Sequence, residues 1–221
     1  MGKLIQESLT MFNWDLKREW KEKNSIGSML IFLLSTLMVV YFALGTQLRP
    51  GIWTALYWIV LLFGTSGIVL RSFASESKAK MLGIYTMIHP NAFILARILF
   101  NGVNSLILSL LAAFFFLFFY QLEIASPSTF ILASVLGTLT MTSLLTFITA
   151  LSYRAKNPHI LSVILAFPIS IPILLSAIQL SMISTGQVGL VSSLNLVSVL
   201  VALLVLVVVL SLLLFPYLWR D

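Results

Sequence analysis

FPISIPILL, residues Phe167–Leu175, sets two prolines four positions apart in a run without charge. It lies inside an uncharged stretch from Asn157 to Trp219. Proline has no backbone N–H, and its ring crowds the carbonyl of residue i−4, so Pro168 and Pro172 leave the carbonyls of Ile164 and Pro168 without their usual helical partners. A loop or broken strand facing lipid would leave many more backbone groups unpaired, and hydrocarbon offers them nothing to bond. The stretch therefore reads as a helical span kinked near its middle. The four-residue spacing places both defects on nearly one face, where protein or water can satisfy them together. Such a kink is a static bend, a hinge, or a surface shaped for a partner.

The same reading extends along the chain. Charges fall in a few clusters, and between them lie Gly27–Leu48, Pro50–Leu70, Ile98–Leu122, Ile124–Tyr153 and Asn157–Trp219, all uncharged. A membrane-crossing helix needs about 20 apolar residues. The first four stretches hold one span each; the last holds two, separated by the turn STGQVGLVSS (Ser184–Ser193). Six helices follow, at 27–45, 52–70, 98–120, 130–151, 159–183 and 194–216. The 221 residues are 60% hydrophobic and 9% charged, against roughly half apolar and a quarter charged in soluble domains, and the mean hydropathy is +1.07. The apolar runs are continuous, not alternating, which excludes a closed barrel. The first run begins near Gly27 and is too long for a signal-peptide core, so no cleaved signal is expected.

Orientation follows from Lys and Arg. Lys3, Lys17, Arg18, Lys21 and Lys23 precede the first span; Arg71, Lys78, Lys80 and Arg97 follow the second; Arg154 and Lys156 follow the fourth; Arg220 is in the tail. A six-span topology puts these twelve on one side and only Arg49 on the other. The positive-inside rule places both termini in the cytoplasm. The net charge of +6 is thereby a topology signal, and no nucleic-acid role is needed to explain it. Residues 1–25 form an amphipathic helix: Ile5, Leu9, Phe12, Leu16 and Trp20 share one face, and Glu19–Lys23 is a supporting i,i+4 pair. Such a helix lies at the headgroup surface, as a plain anchor or as an elbow that positions the spans. The predicted fold is an all-α integral membrane protein, a single permease-like domain over 1–221, with six transmembrane helices preceded by an amphipathic interfacial helix.

Within the spans, GTSG (Gly64–Gly67) suits close helix packing. The fourth span carries Ser134, Thr138, Thr142, Thr146 and Thr149 on one stripe. Hydroxyls bonding their own i−4 carbonyls account for such a stripe; a polar seam against another helix or a translocation path is the alternative. Asn101, Asn104 and Ser105 open the third span, and their amides are costly to leave unpaired in lipid, so they are expected to face protein or a wet cavity.

The chemistry excluded is equally informative. There is no cysteine, hence no disulfide, thiol nucleophile or Cys-ligated metal. None of the six predicted spans holds Asp, Glu, Lys or Arg, the usual intramembrane relays of ion-coupled transporters. The two histidines, His89 and His159, fall at the cytoplasmic boundary, and none of the eight methionines sits in a recognisable heme motif. No phosphate-binding G-x-x-x-x-G-K-[ST] occurs. No catalytic, metal or directly bound cofactor site is expected, and the chain is not read as an enzyme. A polytopic chain without its own energy source is a passive channel, a scaffold, or a subunit driven by another protein. The third option asks for a cytoplasmic docking element. The segment 71–97, RSFASESKAKMLGIYTMIHPNAFILAR, is too long and too apolar for a plain linker. Its KAKMLGIYTMI portion is expected to form a short surface helix ended by Pro90, which has the form of a coupling helix.

RSF (Arg71–Phe73) followed by Glu76, then Pro90 and Arg97 entering the third span, then FPISIPILL, occur in that order. Together with the length and the six spans they resemble the cytochrome c maturation protein B family (CcmB, heme exporter protein B), the permease subunit of an ABC-type complex, over essentially the whole chain. The resemblance implies a CcmA-like ATPase partner that hydrolyses ATP, CcmC- and CcmD-like membrane proteins, and a CcmE-like heme chaperone whose heme-loaded form is released. It also implies heme handled by the complex, two copies of the chain, and a bacterial inner-membrane location. The residues it assigns to ATPase coupling are Arg71, Phe73, Glu76, Lys78, Lys80, Pro90 and Arg97. Family members carry more acid after the R-x-F element, whereas Glu76 here stands alone beside Lys78 and Lys80. The alternatives are the permease of another ABC exporter, for a lipid, drug or polysaccharide, and a membrane scaffold without a transport cycle.

Overall fold

A computed structural model describes residues 2–22, 24–45, 48–74, 89–120, 123–152, 158–187 and 191–220. They form seven helices: α1 (Gly2–Glu22), α2 (Asn24–Leu44), α3 (Pro50–Ala74), α4 (Pro90–Tyr120), α5 (Pro127–Ser152), α6 (Pro158–Ser184) and α7 (Ser193–Arg220). No strand occurs among the described residues. Helices α2–α7 are the six long enough and apolar enough to cross a membrane.

The helix ends follow local chemistry. Four helices open on proline, whose fixed φ suits the first turn and whose missing N–H has no intrahelical partner there anyway. Gly45 and Gly186 adopt φ of 72° and 82° and close α2 and α6. The Gly45 N–H donates to the Tyr41 carbonyl at 2.9 Å, and that of Gly186 to Ile183 at 3.1 Å. Side chains rarely adopt this left-handed conformation, which is why glycine occupies both turns.

Helix α5 is the most deeply buried span and α2 the least. α5 packs against α3, α4, α6 and α7, so it forms the centre of the bundle. One apolar core joins α4 to α7 and takes in Met11 of α1 and Phe73 of α3. A second joins α2, α3 and α4 around Trp53, Tyr57, Trp58 and Phe116.

The bounds of two spans need correction. The third span does not start at residue 98: its helix begins at Pro90, and Arg97 lies two turns inside it. A helix of this length reaches about 46 Å, well beyond a hydrocarbon core of about 30 Å, and its first turns can therefore project past the membrane with Arg97 aboard. The second span likewise runs on to Ala74, so Arg71 and Phe73 are helical. The two ends of the segment 71–97 therefore belong to these helices, and its central part, with the expected surface helix and Glu76, Lys78 and Lys80, lies outside the described residues. The fifth span, as expected, passes through Pro168 and Pro172 as a helix, with both prolines facing outward. Ser170 and Ser176 donate to the carbonyls of Phe167 (2.8 Å) and Pro172 (2.9 Å), not to the carbonyls that the prolines orphan.

Candidate functional site: a buried clasp and a polar seam

Helix α1 carries the predicted apolar stripe, of which Phe12 and Leu16 are half-buried, but its most deeply buried line is a different one. Ile5 and Leu9 are about half exposed, whereas Ser8, Met11 and Asp15 are buried. At about 100° per residue, the Ser8–Met11–Asp15 line sits roughly a third of a turn around from Ile5 and Leu9. α1 thus has two working faces: one seated on α4, the other apolar and open, as a headgroup-level helix requires.

Asp15 was not singled out by the sequence reading, and it is the centre of the docked face. Its carboxylate lies 3.3 Å from Nη1 of Arg97 and 3.7 Å from Nη2 of Arg18. Asp15 and Arg97 are both fully buried. The Arg97 guanidinium also faces the rings of Phe73 (5.8 Å) and Phe93 (5.4 Å), the arrangement in which a flat cation is attracted by aromatic faces. Phe93 in turn stacks on Phe215 of α7 at 5.8 Å. A second acid, Glu7, accepts a bond from the His89 backbone N–H at 3.4 Å, at the positive end of α4. Glu7 and Asp15 are eight residues apart, as are His89 and Arg97, so α1 runs beside the first turns of α4 in the same direction.

The second feature is a polar line between the antiparallel helices α4 and α5. Asn101 Nδ2 donates to Thr146 Oγ1 at 3.0 Å. Two turns along, Tyr57 OH of α3 bonds Ser109 Oγ (3.0 Å) and donates to Ser134 Oγ (3.1 Å). Antiparallel pairing places Ser105 and Thr142 between these points. Asn101, Asn104, Ser105, Thr138 and Thr142 are all buried, which meets the expectation that the asparagines face protein. Asn101 Oδ1, Asn104 Nδ2 and the hydroxyls of Ser105, Thr138 and Thr142 have no protein hydrogen-bond partner. Back-bonding does not explain the stripe: it describes Thr140, off the stripe, which donates to Leu136 O at 2.7 Å, while Ser134 and Thr146 bond across helices.

An unpartnered buried hydroxyl costs about 1–3 kcal/mol. Replacing Thr138 and Thr142 with valine keeps the shape and removes two such groups. The double variant is expected to be neutral or stabilising, by up to about 1 kcal/mol per hydroxyl removed once lost polar contacts are offset, seen as an unchanged or higher thermal midpoint in detergent. A clear fall would show that those hydroxyls are satisfied within the bundle and that the seam is structural.

Of the residues expected to couple to an ATPase, the structure brings Phe73 and Arg97 together beneath α1. Pro90 sits at the head of the same helix. Arg71 is turned the other way, exposed, with its guanidinium on Ser28 Oγ of α2 and on the Gly67 carbonyl (3.4 Å). Pro168 and Pro172 belong to a separate outer face. Sequence reasoning missed Asp15 because a lone acid in a basic segment has no visible partner; the helical spacing of Ser8, Met11, Asp15 and Arg18 was its only trace. A model of the CcmB protein family matches residues 6–218 of the chain. None of the curated proteins matches it.

Proposed function

The chain belongs to the CcmB protein family, and on that premise we propose that it is the permease subunit of an ABC-type complex in cytochrome c maturation. It resides in the bacterial inner membrane with both termini in the cytoplasm. A CcmA-like ATPase docks at the end that carries Arg71, Arg97 and α1. CcmC- and CcmD-like proteins and a CcmE-like heme chaperone complete the assembly, with heme as cargo and two copies of this chain matched to a pair of ATPases.

The observation that carries this reading is the clasp. Phe73 and Arg97 flank the segment on which an ATPase would push, and both are held at α1 through the Asp15–Arg97 pair. A displacement of either flank must break that pair or carry α1 along. Motion at the cytoplasmic face is thereby converted into motion of α3 and α4, and through the seam into α5. The chain's own contribution is mechanical: it holds, relays and releases. The outward Pro168 and Pro172 give α6 two missing backbone bonds on the side where a partner would bear, which supports a deformable contact surface there.

A tagged chain extracted in mild detergent is expected to bring down an ATPase together with CcmC- and CcmD-like proteins. An ATPase alone would point to a different exporter, and none at all would remove the coupling reading. The Pro168→Ala/Pro172→Ala double variant should recover the same partners while the yield of holocytochrome c falls several-fold. Normal yield would take α6 out of the mechanism.

A further inference from the structure

On the side of α3 away from the clasp lies a cleft of about 380 Å³, bounded by α2, α3 and α4. Its walls include Met29, Phe32, Phe63 and Leu108, and Arg71 and Ser28 stand at one end. From Phe63 to Arg71 the cleft follows α3 for about 12 Å. Phe63 is half exposed, and nothing lies within 4 Å of where a side chain on Gly67 would begin, so the cleft opens sideways on the surface of the spans. Helix α2, its outer wall, is the least buried span.

We propose that this cleft binds one acidic phospholipid, an acyl chain lying along Phe32, Phe63 and Leu108 and its phosphate against Arg71 and Ser28. Two observations select that occupant. The first is charge: Arg71 has no carboxylate within ion-pair distance among the described residues, and its guanidinium retains N–H groups suited to a phosphate. It also lies at the basic end of the bundle, where acidic lipid headgroups concentrate. The second is continuity: an apolar trough that opens sideways below a cation matches a molecule with a charged head and an apolar tail, whereas a free anion would make no use of the trough. The lipid would fill the space where α2 leaves α3 and brace α2 against the bundle.

The test uses the full chain in detergent, titrated with phosphatidylglycerol, with phosphatidylcholine of the same acyl chains, and with inorganic phosphate, each followed by the thermal midpoint. Phosphatidylglycerol is expected to raise the midpoint at lower concentration than phosphatidylcholine, and phosphate to have no effect. Arg71→Gln, an exposed change, should weaken the phosphatidylglycerol response roughly fivefold, the contribution of one basic residue at a membrane surface, and bring the two lipids together. Gly67→Leu should fill the cleft and suppress both responses without lowering the lipid-free midpoint. Equal responses to the two lipids in the native chain, an unchanged response in Arg71→Gln, or the same shift from inorganic phosphate would each overturn the assignment. Should Gly67→Leu fail to fold, the Arg71→Gln titration decides alone. None of these outcomes depends on the maturation assay, so this site and the proposed function stand or fall separately.

Discussion

Arg97→Ala is expected to destabilise the protein by about 3–5 kcal/mol, because it removes a buried, oppositely charged neighbour 3.3 Å from the buried carboxylate of Asp15. Among the described residues Arg18, at 3.7 Å, also lies near that carboxylate, farther away than Arg97 at 3.3 Å. The loss should appear as a lower thermal midpoint and as early proteolysis of α1, whose docking rests on this pair. Arg97→Lys keeps the charge but not the flat guanidinium that faces Phe73 and Phe93, so an intermediate loss is expected. The informative control is the double variant Asp15→Leu/Arg97→Met. Two desolvated charges give back much of their attraction as lost hydration, so an apolar pair of similar size should be neutral or stabilising. If Arg97→Ala lowered stability by less than about 1 kcal/mol, the pair would be too solvated to act as a clasp.

Gly137→Ala should cost about 2–3 kcal/mol, a large penalty for one methyl group. The new Cβ would sit 2.3 Å from Cη2 and 2.9 Å from Cζ3 of Trp58, and 3.0 Å from the Cβ of Ala177. Trp58 has little room to retreat. It is fully buried, its Nε1 donates to Ser181 Oγ at 2.9 Å, and its ring meets the edge of Tyr57 at 5.5 Å. Any shift weakens this hydrogen bond between α3 and α6. Gly67→Ala is the matched control, because the position is open; there alanine should be neutral or better by about 0.5–1 kcal/mol, the usual helix preference. Equal thermal midpoints for the two variants would remove the close Gly137–Trp58 approach as a determinant of packing.

The glycines show how far a sequence can be read. GTSG looked like a packing motif, and Gly64 is one: a Cβ there would meet Leu108 at 2.5 Å and Phe32 at 3.3 Å. Its partner Gly67 faces open space, and Gly137, where a Cβ would meet Trp58 at 2.3 Å, belongs to no motif. Close approach is a property of two helices, and only one of them is visible at a time in the chain. The Thr stripe is similar. Its spacing was plain, but whether the hydroxyls turned to their own backbone or to a neighbour depended on α5 being enclosed by four other helices.

Composition and charge alone determined the six spans, the amphipathic leader and the helix-forming character of the doubled-proline segment, because lipid permits so few backbone states that hydropathy nearly dictates secondary structure. Tertiary structure decided the rest. It put the two ends of the segment 71–97 into helices, turned Arg71 outward and Arg97 inward, and revealed Asp15 as a counter-charge. The physical reason is that a charge is read from sequence as a boundary, since an isolated ion is excluded from an apolar interior. A charge buried beside its partner violates that rule locally, and the partner here comes from a helix some eighty residues away.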